Sequence, residues 1–105
     1  MSDSSSICYL RQELRSLTSF PALPDGHVTR IDAHFYVQTE DTTQAGGAAA
    51  SFCLSNGLEC VEYTCLPQPL VRSQIADHES EHAEAYDLAL SKGIGVVIAL
   101  VGYWR

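Results

Sequence analysis

An α+β fold, helices layered on a sheet, is predicted by three stretches of this 105-residue chain: apolar and polar residues alternate over 29–37 and again over 58–65, and 94–101 is almost unbroken aliphatic. Alternation with a period of two sends one set of side chains into a core and the other into water, whereas a continuous β-branched run is what a strand covered on both sides needs. Helix-like segments separate the three runs. Strands and helices therefore interleave in a chain with room for one hydrophobic core and no second one.

Residues 1–6, Met1-Ser2-Asp3-Ser4-Ser5-Ser6, are expected to be a flexible lead-in to a single domain spanning 1–105. Ile7, Leu10, Leu14 and Leu17 recur at helical spacing with Ser5 or Ser6 available as N-cap, so an amphipathic helix is expected there. Phe20-Pro21-Ala22-Leu23-Pro24-Asp25-Gly26 ends it with two prolines and an Asp-Gly turn. Thr29, Ile31, Ala33, Phe35 and Val37 then face one way and Arg30, Asp32, His34 and Tyr36 the other, the pattern of a half-buried strand. Asp41 or Thr42 caps a second helix that runs through Gly46-Gly47-Ala48-Ala49-Ala50 to Leu54, and Asn56-Gly57 supplies its left-handed stop. The strand over 58–65 should end at Leu66-Pro67-Gln68-Pro69, and 70–75 reads as a short, indistinct third strand. Asp77 caps the last helix, which stops at Gly93, with Ile75, His82, Tyr86, Ala89 and Leu90 inward and Ser80, Glu84, Asp87 and Ser91 outward. With the indistinct strand counted, the core reads βαββαβ, a ferredoxin-like plait with an additional N-terminal helix. Its helix-free sheet face would carry Arg30, Asp32, His34 and Tyr36 as a docking surface.

Six Lys and Arg against thirteen Asp and Glu leave a formal net charge of −7. That balance repels phosphate backbones and withholds the counterion-release term, which argues against direct nucleic-acid binding, while it steers association with a basic protein partner. No run reaches the ~18–20 apolar residues of a membrane span. The N-terminus lacks the basic and apolar blocks of a signal peptide, so a cytoplasmic protein without a membrane partner is expected. Cys8, Cys53, Cys60 and Cys65 form no C-x-x-C pair. Cys53 and Cys60 read as small buried residues, and a Cys60–Cys65 disulfide is disfavoured in a reducing compartment. Should 94–101 lie at a sheet edge, a second copy in a homodimer is its natural cover.

His78-Glu79-Ser80-Glu81-His82 spells H-E-x-x-H, the spacing at which two helical histidines reach one zinc ion while the glutamate activates bound water. In that reading Glu79 is the catalytic candidate, His78 and His82 are ligands, and the third ligand comes from upstream, His34 or His27. Three features weigh against it. No His, Asp, Glu or Cys follows Asp87; acidic residues in a first helical turn are favoured by the helix dipole without any catalytic reason; and charged Glu81 stands before the second histidine. The first expectation is therefore no cofactor, with zinc the alternative. No G-x-S-x-G elbow is present, Gly46-Gly47 completes no phosphate loop, and Gly93-Ile94-Gly95 reads as a helix stop.

The segment Ile31-Asp32-Ala33-His34-Phe35-Tyr36-Val37, the alanine-rich helix ending Ser55-Asn56-Gly57, the acidic strand Leu58-Glu59-Cys60-Val61-Glu62 and the closing Gly102-Tyr103-Trp104 resemble the ribonuclease E inhibitor family, also called regulator of RNase E activity B. His34 matches a histidine at the end of the family's first strand and Gly57 the glycine opening the second. The resemblance implies a small acidic plait preceded by a helix, with no catalytic residues, that restrains a nuclease. The expected function is thus a non-catalytic regulator that binds a nuclease or other basic protein through Arg30, Asp32, His34, Tyr36 and Trp104. The alternatives are a metal-dependent hydrolase built on His78, Glu79 and His82, an immunity-type inhibitor, and a dimeric plait that binds a small ligand in a pocket lined from 94–101.

Overall fold

A computed structural model describes residues 6–16, 29–75 and 79–103. The elements run β1 (Ile7–Ser16), β2 (Thr29–Gln38), α1 (Thr42–Ser55), β3 (Leu58–Leu70), a 3-10 turn (Arg72–Gln74), α2 (Ser80–Lys92) and β4 (Ile94–Tyr103). The four strands make one antiparallel sheet in the order β3-β1-β2-β4. The α+β class is as the patterning predicts, and neither helix is long and apolar enough to cross a membrane.

The expected N-terminal helix is a strand, and a central one. Cys8, Leu10, Gln12 and Leu14 are all buried on one face, while Arg11 and Arg15 on the other are exposed and Tyr9 and Glu13 are part-covered. This is a period of two, hidden in the sequence because Gln12, 2 % exposed, puts a polar residue at a core position. The 3–4 spacing of Ile7, Leu10 and Leu14 arises because Ile7 belongs to the opposite face, where it packs with Tyr36, Ile75 and Tyr86.

Directly opposed residues of antiparallel strands share a face, so the register of β1, β2 and β4 divides the sheet cleanly. Cys8, Leu10 and Leu14 lie with Ile31, Ala33, Phe35 and Val37 against Ala45, Ala49 and Cys53 of α1. Ile7 and Tyr36 lie with Ala85, Tyr86 and Ala89 of α2. The helices therefore cover opposite faces of the sheet, and the one-sided βαββαβ plait is not the architecture. The helix-free strand face of that expectation carries α2. Leu10, Leu14 and Phe35 are fully enclosed, each worth about 1.5–3 kcal/mol of burial.

The expected signals at both ends of α1 and at the end of α2 hold, whereas the expected cap Asp77 lies outside the described residues and α2 starts after Glu79, whose side chain makes no capping hydrogen bond. The Asp41 carboxylate accepts from the Thr43 N–H at 2.8 Å, Gly57 adopts φ 67° just past the end of α1, and Gly93 closes α2 at φ 96°. α1 presents Ala45 and Ala49 to the sheet, and its Phe52 meets Phe35 edge-on at 5.6 Å. α2 turns Ala85, Tyr86 and Ala89 inward, with Ser80, Glu84, Asp87 and Ser91 in water. β3 continues through Pro67 and Pro69 to Leu70 rather than stopping, and the separate short strand expected over 70–75 is instead the end of β3 and the 3-10 turn. Prolines are admissible there because β3 is an edge strand whose outer N–H positions have no ladder partner. Cys60, expected inside, is exposed on this edge, whereas Cys8 and Cys53 are buried; all four cysteines are free thiols.

Gly95 does more than end a helix. A methyl group there would overlap the carbonyl of Ala85, so the α2 backbone lies directly on β4 with no side chain between. Gly95→Ala is expected to destabilise the fold by about 1–3 kcal/mol, read as a lower urea midpoint at unchanged slope. Gly47→Ala, at an exposed helical site with open space around it, should instead stabilise by up to about 1 kcal/mol.

Candidate functional site

Because α2 sits on the face that carries the even-numbered residues of β2, it brings together two groups that are far apart in sequence. His34 and Tyr36 from β2 meet His82 from α2, and Tyr9 from β1 joins them as the register partner of Tyr36. Their rings form a closed circuit: Tyr9–Tyr36 centroids lie 5.3 Å apart, Tyr36–His82 5.9 Å, His82–His34 4.6 Å and His34–Tyr9 5.9 Å. The two imidazoles meet edge to face at 85°, a favourable quadrupolar geometry.

Hydrogen bonds pair each phenol with one imidazole. The Tyr36 hydroxyl lies 2.5 Å from Nδ1 of His82. The Tyr9 hydroxyl lies 2.7 Å from Nδ1 of His34, whose Nε2 lies 3.2 Å from Oδ2 of Asp32. A carboxylate only accepts, so the His34 proton resides on Nε2 and Nδ1 accepts from Tyr9. Asp32 is held in turn by Arg11, whose Nε and Nη2 reach its two oxygens at 2.8 Å each. Tyr9 thus donates to His34 and both His34 and Arg11 donate to Asp32, one connected chain that links the half-exposed guanidinium to a part-buried phenol.

The charges follow from this wiring. The Arg11 guanidinium holds the Asp32 carboxyl below its ordinary value of 3.8. Burial lowers His34 from its ordinary 6.5, and the neighbouring His82 adds to the effect while Asp32 opposes it. Burial also raises both phenols, Tyr36 most of all, and the charge of Glu79 pushes each in the same direction. At neutral pH the cluster therefore presents an uncharged His34 imidazole and two intact phenolic hydroxyls.

These groups line a cavity of about 190 Å³. Tyr9, His34 and Tyr36 form its sheet wall, Glu79 and His82 its helical wall, and Leu70, Gln74 and Ile75 its third side. The 3-10 turn positions the third side: the Val71 N–H donates to Oε1 of Gln74 at 2.8 Å, and the Gln74 N–H donates to the Val71 carbonyl at 2.9 Å. That closure swings buried Ile75 under α2.

Of the residues singled out in the sequence, Asp32, His34, Tyr36, Glu79 and His82 converge here. Arg30 falls in β2 with its side chain outside the described residues, as are His27, His78 and Trp104 in full. Of the H-E-x-x-H segment, Ser80, Glu81 and His82 are helical and Glu79 is the N-cap residue. Both ring nitrogens of His34 and Nδ1 of His82 are engaged in hydrogen bonds. Among the described residues no three His, Cys, Asp or Glu side chains converge as metal ligands. Tyr9, Arg11, Leu70 and Gln74 escaped sequence reasoning. The alternation of Tyr9, Arg11, Glu13 and Arg15 was the one available signal for the first two. No family model, curated protein or solved structure matches this chain, so the resemblance to ribonuclease E inhibitors rests on the quoted segments alone.

The depressed His34 value has a stability consequence. As pH falls below 6.5 the unfolded chain takes up this proton before the folded one does, so stability declines from there until the folded His34 also titrates. Asp32 adds a second decline that starts near 3.8 and runs through its lowered folded value. Urea midpoints measured from pH 7 to pH 5 should fall for the wild type and fall less for His34→Gln, and NMR titration of the His34 ring should give a value under 6.5. A His34 that titrates above 6.5 would contradict the assigned geometry.

Proposed function

We propose that this protein binds a small molecule in the cavity between α2 and the sheet. The observation that carries the reading is the convergence of four hydrogen-bonded aromatic side chains, from β1, β2 and α2, on one cavity. A core that needed only stability would fill this space with aliphatic side chains, which carry no polar groups to satisfy. Here two phenol–imidazole pairs are held in fixed orientation beside a space of several water volumes, the arrangement of a polar ligand site with apolar walls. A screen of neutral, cationic and anionic fragments by amide chemical-shift mapping should yield saturable binders whose shifts concentrate at 34–36, 74–75 and 79–82. Shifts scattered over the surface, or confined to β4, would remove the reading.

A second reading, association through a sheet edge, has an observation of its own. β4 is an edge strand that carries neither charge nor proline over Ile94–Tyr103, and Ile98 on it and Leu88 on α2 are exposed. β3, the opposite edge, carries Glu59, Glu62, Pro67 and Pro69, residues that discourage edge pairing. An antiparallel strand can pair with its own copy about a two-fold axis, and an uncharged edge spares two acidic chains direct repulsion there. We propose a homodimer joined through β4. Light scattering should give twice the 11.5 kDa chain mass, and Ile98→Lys should restore the monomer; a wild-type monomer at high micromolar concentration would refute it. The regulator and immunity-type readings rest on the acidic charge and on the family resemblance, and none of the described site residues adds to them.

A further inference from the structure

Strand register sets Tyr9 opposite Tyr36 and Arg11 opposite His34, so these four side chains share the sheet face that α2 covers. The Tyr9 hydroxyl donates to Nδ1 of His34 at 2.7 Å, Nε2 of His34 donates to Asp32 at 3.2 Å, and Arg11 clamps both Asp32 oxygens. A hydroxyl, an imidazole placed to take its proton, and a carboxylate that holds the imidazole in the accepting tautomer are the parts of an activated nucleophile, recognised by geometry and role. The imidazolium formed when the proton moves lies against Asp32 and is stabilised there.

Tyr36 and His82 supply a further part. Phenol and imidazole together hold at least two protons, and a single hydrogen bond at 2.5 Å joins them. Whichever group donates, at least one O–H or N–H is not used between them, and both side chains line the same cavity as Tyr9. A donor held beside a nucleophile stabilises the negative oxygen that an attacked carbonyl develops.

From this arrangement, and resting on the ligand-binding reading above, we infer that the cavity takes a small carboxylic ester and transfers its acyl group to Tyr9. The Tyr9 oxygen forms a bond to the carbonyl carbon as its proton passes to Nδ1 of His34, and the carbonyl oxygen takes up the electron pair beside the Tyr36–His82 donor. Collapse of this adduct breaks the bond to the alcohol oxygen, which receives the proton from His34 and departs. Water then attacks the acyl-Tyr9 carbonyl and passes a proton to His34. The released phenolate takes that proton back, so ester and water become acid and alcohol. Tyr9 is the nucleophile, His34 the base and then the acid, and Asp32 a positioning residue. The cavity, about 190 Å³, equals roughly six waters at ~30 Å³ each, so the acyl and alkyl parts have few carbons, with Leu70 and Ile75 as their apolar wall.

The probe is 2,2,2-trifluoroethyl acetate, because ¹⁹F NMR separates the ester from the released alcohol. The full chain should hydrolyse it saturably and faster than buffer. Tyr9→Phe, which keeps the ring and loses the hydroxyl, should fall to the buffer rate, and His34→Gln should fall by about 100-fold. Tyr63→Phe, at an exposed phenol outside the cavity lining, should match the wild type. Amide spectra verify that each variant is folded. His34 faces Tyr9 and Arg11 from β1, Asp32 from β2 and His82 from α2. The wild-type rate should fall as pH drops through its titration, below 6.5. In Asp32→Asn that inflection should move to lower pH, because the carboxylate favours the imidazolium; a merely structural role would leave it in place. Undiminished turnover in Tyr9→Phe, or equal losses in Tyr9→Phe and Tyr63→Phe, would overturn the assignment. No turnover, with fragments still bound at 34–36, 74–75 and 79–82, would overturn the acyl transfer and leave the ligand-binding reading intact. If no fragment moved those residues, the ligand-binding reading would fall, and this inference with it.

Discussion

The arrangement of this protein depends on the direct contact between the α2 backbone and β4 at Gly95. A helix normally stands about 10 Å from a sheet, separated by the side chains of both. With no side chain at Gly95, the turn around Ala85 settles onto the strand itself. That close seat brings His82, one turn earlier on the same face, down to the rings of His34 and Tyr36. It also places the N-cap residue Glu79 at the rim of the cavity. The glycine has no chemistry of its own, yet the chemistry one turn earlier on the same helix face requires it.

The two faces of the sheet differ in kind because the helices that cover them differ. α1 is alanine-rich where it meets the sheet, and its cluster is apolar apart from Gln12, to which the Cys53 thiol makes a long contact at 3.9 Å. Small residues bring backbones close and leave no volume for anything else. α2 offers His82 and Tyr86 alongside Ala85 and Ala89, and the strands beneath answer with Tyr9, His34 and Tyr36. Larger polar side chains stand further apart and must satisfy their hydrogen bonds with one another. The result is a polar, cavity-bearing interface on this face and a closely packed apolar core on the other.

Polar groups in such a layer are tolerated when each has a partner and the charge drains outward. Arg11 and Asp32 do this for His34. The ion pair sits at the edge, where Arg11 is 44 % exposed and Asp32 18 %, so its desolvation is partial while its direction still sets the imidazole tautomer. The price is some sensitivity to acid, since the same burial that keeps His34 neutral favours its protonation in the unfolded chain.

Local signals in the sequence determined the caps at Asp41, Asn56-Gly57 and Gly93, the strand at 29–38, both helices and the inward turn of His82. These depend on neighbours within a few residues, where backbone preference and hydrophobic period act alone. The sequence also singled out Asp32, His34, Tyr36, Glu79 and His82, as a strand face and as a histidine motif. Tertiary structure decided that these are one site. β1 was illegible because a buried Gln12 broke its alternation, and β3 outran its prolines because only sheet order reveals which strand is an edge. Above all, which face of the sheet a helix covers depends on chain crossovers and on backbone clearance at Gly95, long-range constraints that leave no period in the sequence. Tyr9 therefore joins His34 through strand register, and His82 through the seating of α2.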